Sequence, residues 1–166
     1  MKKKRVLILD KERISYKLCR MAYEIWEHNS NEQEIILIGI EKGGKILADN
    51  LSAILKKISP LKVITISINI NKKKPLNNAI ELSKDLTGRS VILVDDVVNS
   101  GKTIIYSLNT ILSYDLKKLT VAVLVDRKHK SFPIASDIVG HTIATTIQDH
   151  IEVETAGKEI TAVYLE

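Results

Sequence analysis

A short apolar run, Val91 to Val94, ends on adjacent carboxylates, Asp95 and Asp96, and passes through Asn99, Ser100, Gly101, Lys102 and Thr103 into a second apolar segment. Few folds accommodate that succession. Apolar residues without polar alternation read as a strand covered on both faces, hence as a central strand of a parallel sheet. Ile104, Ile105, Leu108, Ile111 and Leu112 recur at helical spacing and predict a helix with that face turned inward. The order is strand, acidic tip, small polar loop, helix. Such a loop gathers free backbone N–H groups, the positive end of a helix and two hydroxyls at one point, which is what holding a phosphate requires. Adjacent carboxylates suit vicinal sugar hydroxyls, each of which donates to an ionised acceptor. The combination describes a site for a ribose phosphate.

Gly101-Lys102-Thr103 also looks like the end of a P-loop, but that pattern requires glycine where this chain has Asp96, and a carboxylate there repels a triphosphate. An acidic strand end followed by an ordinary helix cap explains Asp95 or Ser100 singly and not all of them in register. The stretch resembles the phosphoribosyl diphosphate (PRPP) motif of type I phosphoribosyltransferases. That resemblance implies that Asp95 and Asp96 are the catalytic pair, binding the ribose hydroxyls, while Asn99, Ser100, Gly101, Lys102 and Thr103 wrap the 5′-phosphate.

A second strand-to-helix junction supports the first. Ile35 to Ile40 form an apolar run, followed by Glu41-Lys42-Gly43-Gly44 and a helix carrying Ile46, Leu47, Leu51, Ile54 and Leu55. Paired glycines remove the side chains that would keep an anion from backbone N–H groups, and Lys42 adds charge. A plain tight turn explains Gly-Gly equally well in isolation. The segment resembles the diphosphate-binding loop of the same family, in its Lys-Gly-Gly form, which implies that Glu41, Lys42, Gly43 and Gly44 contact the diphosphate.

The rest of the chain reads as support. Val6 to Leu9 predict a short strand, and Ile14, Leu18, Met21, Ala22 and Ile25 one face of an amphipathic helix. Leu61 to Ile70 alternate apolar residues with Thr65, Ser67 and Asn69, a strand with one polar face. Residues 71–89, with Lys72-Lys73-Lys74-Pro75, show no sustained period and read as a surface excursion; in the resembling enzymes a mobile loop here closes over PRPP. Leu119 to Val125 predict another buried strand, and the alternation of Ile151, Val153, Ile160, Ala162 and Tyr164 a terminal hairpin around Gly157. At 166 residues with 45% hydrophobic content, one domain over 1–166 is expected. Its fold class is α/β: a mainly parallel sheet with helices on both faces and a small hood over about 141–166.

Cys19 is the single cysteine, so no internal disulfide forms, and the apolar run after Lys2-Lys3-Lys4-Arg5 is too short for a signal peptide or membrane span. A cytoplasmic protein without a membrane partner is expected. A formal charge of +5 suits phosphate-rich ligands or RNA and equally a solvated lysine surface. His28, His129, His141 and His150 lack metal-ligand spacing.

Val125-Asp126-Arg127 followed by Lys128-His129-Lys130, then Phe132-Pro133-Ile134 and Asp137 before Val139-Gly140, resembles the pyrimidine-operon regulators that are also uracil phosphoribosyltransferases. The resemblance covers nearly the whole chain. It implies transfer of phosphoribose from PRPP to a nucleobase, uracil first, with base contacts from Asp126, Arg127 and the backbone of Ile143, Ala144 and Thr145. It also implies Mg²⁺ carried mainly by substrate, with no dedicated protein ligands, and a homo-oligomer. Hypoxanthine-type enzymes place an aspartate at the position of Asn99 and a lysine at that of Asp126, and neither residue here can play that part. The alternatives are a purine enzyme of that type and an RNA-binding attenuator that senses nucleotides through the same pocket. RNA would meet Arg127, Lys128, His129 and Lys130. Against RNA, Cys19 and Tyr23 stand where the regulators carry threonine and histidine, and Gly43 stands for an arginine.

Overall fold

The computed structural model describes residues 5–70, 82–146 and 149–166. The expected excursion falls mostly outside them, as do Lys2 to Lys4. Five strands, β2 (Glu34–Ile40), β3 (Lys62–Ile68), β4 (Ser90–Val98), β5 (Lys118–Arg127) and β6 (Ile138–Ile143), form one sheet in the order β3-β2-β4-β5-β6, parallel throughout. Period-two geometry sorts the apolar runs onto its faces. Ile35, Leu37, Ile92 and Val94 point to one core, where α1 (Lys11–His28) and α2 (Glu41–Ile58) pack. Ile36, Ile38, Val91 and Leu93 point to the other, which α3 (Lys102–Ile111) covers. All five predicted α1 positions are buried. Leu112, predicted to face inward after α3, is 62% exposed, because the helix has ended and the residue caps it in solvent.

Because α2 follows β2 onto one face and α3 follows β4 onto the other, the chain diverges between β2 and β4. Open α/β sheets bind ligands in such a crevice, outside the carboxyl ends of the strands. The register shows where it opens. β2 and β4 pair as far as Gly39 and Val94, whereas β4 stays paired with β5 through Asp95, Val97 and Val98. The strand expected to stop at Val94 therefore runs on to Val98, with the acidic pair on its open side rather than beyond its tip.

The hood boundary also departs from expectation. Residues 141–143 belong to β6 and pair with β5, so the separate hood sheet starts at β7 (Ile151–Ala156) instead of near 141. That sheet has three strands, β1-β8-β7, with β8 at Glu159–Leu165 and β1 (Val6–Leu9) antiparallel to it. Gly157, at φ 60, turns the predicted hairpin. Arg5 fastens this sheet: its guanidinium lies 3.8 Å from the Tyr164 ring centroid and bonds Glu152 (2.9 Å) and Glu154 (2.6 Å). Among the described residues no helix is long and apolar enough to cross a membrane.

Candidate active site

A cleft of about 250 Å³ sits at the crevice, lined by Glu41, by Asp95 to Gly101, by Thr103 and Ile104, and by His150 to Val153 of the hood. It unites residues from both predicted phosphate segments. Glu41 opens α2 without an intervening loop, with φ 52, a backbone conformation rare for a side chain other than glycine. Strain of that kind clusters at ligand sites. Lys42 is exposed on the same turn. Gly43 and Gly44 are required by close approach: a Cβ on Gly44 would stand 2.4 Å from the Val94 carbonyl oxygen, and one on Gly43 would stand 2.2 Å from Asp96 Oδ2. The acidic pair therefore lies against the first turn of α2.

The phosphate segment is held from beneath. Gly101 caps α3 at φ 81 and, being glycine, adds no side-chain cap of its own. The Phe132 N–H donates to the Ser100 carbonyl (3.0 Å) and the Lys102 N–H to Ser100 Oγ (3.3 Å). The Lys102 ammonium lies 5.6 Å from the Tyr106 ring centroid, along its own helix, and the cleft is lined here by Asn99, Ser100, Gly101 and Thr103 without Lys102. The structure places the five base-side candidates beside this cleft and not in its lining. Asp126 pairs with Lys130, and Arg127 bonds Thr145 and Thr146, beyond Ile143 and Ala144. Two of the four residues expected to meet RNA are thus committed, leaving Lys128 and His129 exposed. His150 to Val153 were not foreseen, since only the docking of β7 against β4 brings them to the cleft.

Burial, with the Asp96 charge beside it, pushes the Asp95 carboxyl well above the usual carboxylate range. Burial also raises Asp96, although the Val97 N–H donates to its Oδ1 (2.9 Å) and opposes the shift. The folded protein therefore binds these protons more tightly than the unfolded chain. The pair's contribution to stability is greatest while the protons stay bound and falls as pH rises from the ordinary Asp range through the raised values. Asp95→Asn, which mimics the neutral form, is expected to raise Tm at pH 7 by a few degrees, about 2–4 °C for each kcal/mol relieved in a domain of this size. The gain should shrink as pH is lowered toward 4, which thermal unfolding across pH will show; a lower Tm at pH 7 contradicts it.

Comparison with known proteins gives a consistent answer. The phosphoribosyl transferase domain model matches residues 6–156. The chain is 36% identical to the bifunctional protein PyrR of Staphylococcus haemolyticus, over 87% of this chain and 89% of that protein. It is 36% identical to the PyrR of Fusobacterium nucleatum, over 96% and 97%. Among solved structures it is similar in fold to the hypoxanthine phosphoribosyltransferase of Trypanosoma cruzi, with TM-score 0.80 and 16% identity over 96% of this chain and 97% of that one. A hypoxanthine-guanine phosphoribosyltransferase of Bacillus anthracis gives TM-score 0.68 and 22% identity over 82% and 81%.

Proposed function

Because the chain belongs to the phosphoribosyltransferase family, we propose that its cleft joins uracil to PRPP, giving uridine monophosphate (UMP) and diphosphate. The observation that carries this reading is the half-buried acidic pair standing between two helix N-termini in one cleft. Asn99 to Thr103 hold the 5′-phosphate, Asp95 and Asp96 accept from the ribose hydroxyls, and the first turn of α2, Glu41 to Gly44, faces the diphosphate. In the reaction the bond from C1 to diphosphate breaks, the bond from C1 to the base nitrogen forms, and the nitrogen loses its proton. The ribose is electron-poor in between, so the protein's work is alignment and charge stabilisation.

Mg²⁺ fits this arrangement as a substrate-borne ion. The carboxylate and carboxamide oxygens lining the cleft suit a hard cation that keeps its phosphate ligands. When bound, it neutralises charge on the departing diphosphate.

Uracil is favoured over a purine because Asn99 replaces a proton acceptor with an amide, and the Asp126 carboxylate is engaged by Lys130. Ile143, Ala144 and Thr145 complete the base side of this reading. Diphosphate release from PRPP, measured against uracil, hypoxanthine and guanine, should be fastest with uracil; a faster purine reverses the ranking. RNA binding is the second reading. Burial and the charges of Lys17 and Arg13 lower the pKa of His141, so the positive charge of the face shared by α1 and β6 is carried by α1. Neutralising Arg13 and Lys17 together should reduce the salt slope of leader-RNA binding by about 2. An unchanged slope removes that face from the account.

A further inference from the structure

Arg127, at the end of β5, directs its guanidinium at three acceptors from two parts of the fold. Its Nε donates to Thr145 Oγ1 (2.7 Å) and its Nη2 to the Thr146 carbonyl (2.8 Å), both in the segment after β6. Its Nη1 lies 3.5 Å from Asn99 Oδ1, in the phosphate segment. Guanidinium carries donors only, so the end of the Asn99 carboxamide that meets it must be the oxygen. Turning the amide over would set an NH₂ group against a cation. The opposite end, Nδ2, is then left as a donor on a residue that lines the cleft. The exit from β5 is itself anchored on the phosphate segment through the Phe132 N–H to the Ser100 carbonyl, and is closed on itself by the pair of Asp126 with Lys130. The strut therefore starts from a fixed base.

We infer that Arg127 is a positioning residue: it orients the Asn99 carboxamide so that the cleft receives an N–H donor, and it ties that orientation to the segment at Thr145 and Thr146. The ligand group addressed is an oxygen acceptor, either a 5′-phosphate oxygen or a pyrimidine carbonyl. This rests on the function proposed above and assigns the guanidinium a task other than touching the base.

The test is a double-substitution cycle read by calorimetric binding of UMP and, separately, of ribose 5-phosphate. Arg127→Met and Asn99→Ala should each weaken UMP binding by about tenfold, the effect of one charge-assisted or well-placed hydrogen bond. In the Asn99→Ala background most of the Arg127→Met penalty should disappear, a coupling that general loosening of the fold does not produce. A penalty shared by ribose 5-phosphate identifies the acceptor as phosphate, and a penalty confined to UMP identifies it as the base carbonyl. Independent penalties, or none with either ligand, overturn the assignment. If Arg127→Met fails to fold, Arg127→Lys, which keeps the charge and loses the fork, takes its place in the same cycle. Wild-type protein that binds neither ligand removes the parent function, whereas independent penalties on a wild type that binds UMP remove the strut alone.

Discussion

Asp96→Asn is expected to cut PRPP turnover by roughly thirty- to a hundredfold while leaving the fold intact, the loss of a charge-assisted bond of about 2–3 kcal/mol. The substitution is nearly isosteric, so the contact with the first turn of α2 survives. What disappears is a negative charge beside a ribose that becomes electron-poor as diphosphate departs, so kcat should fall along with affinity. Wild-type turnover should also climb as pH rises through the raised pKa values of the acidic pair, since only the ionised pair accepts from both hydroxyls. That limb should flatten in the variant. Calorimetry that finds unchanged PRPP affinity in a folded Asp96→Asn protein contradicts the assignment.

Adding one methyl group to either of two adjacent glycines should give opposite outcomes. At Gly44 the new Cβ would stand 2.4 Å from the Val94 carbonyl oxygen, and backbone cannot swing aside as a side chain can. Gly44→Ala should therefore push α2 off β4 and cost about 1–3 kcal/mol or more. At Gly43 the clash is with the Asp96 carboxylate, at 2.2 Å, which can rotate away. Gly43→Ala should keep nearly the wild-type Tm and lose PRPP affinity instead, because the displaced carboxylate no longer meets the ribose. Denaturant unfolding and PRPP titration of both variants separate the outcomes. Equal destabilisation by the two substitutions would show that Asp96 is not the yielding partner.

The parts of this account that were legible in the sequence are those encoded locally. The unbroken run Val91 to Val94 announced a doubly covered strand, the spacing of Ile14, Leu18, Met21, Ala22 and Ile25 announced a buried helix face, and both structural assignments hold. The succession from Asp95 to Thr103 marked one wall of the cleft because its chemistry lies within a few residues. What escaped depends on pairing across the chain. Nothing near Val6 to Leu9 says that its partner is Val163 to Leu165, so the first strand could not be placed in the hood. His150 to Val153 reach the cleft only because that hood folds over β4. The continuation of β4 beyond Val94 follows from β5 alongside it, a partner that the carboxylates themselves do not advertise. Arg127 carried an obvious functional charge, and only its geometry shows that the charge is directed at Thr145, Thr146 and Asn99.

The central claim is that one cleft holds phosphate, ribose and diphosphate together and transfers the ribose phosphate to a base. Stoichiometric product analysis tests it most directly: protein, Mg²⁺, PRPP and uracil are mixed, and UMP and diphosphate are quantified in the same samples. The account predicts the two products in equal amounts and neither when uracil is omitted. Diphosphate released without UMP, or no product with uracil, hypoxanthine or guanine, would contradict it.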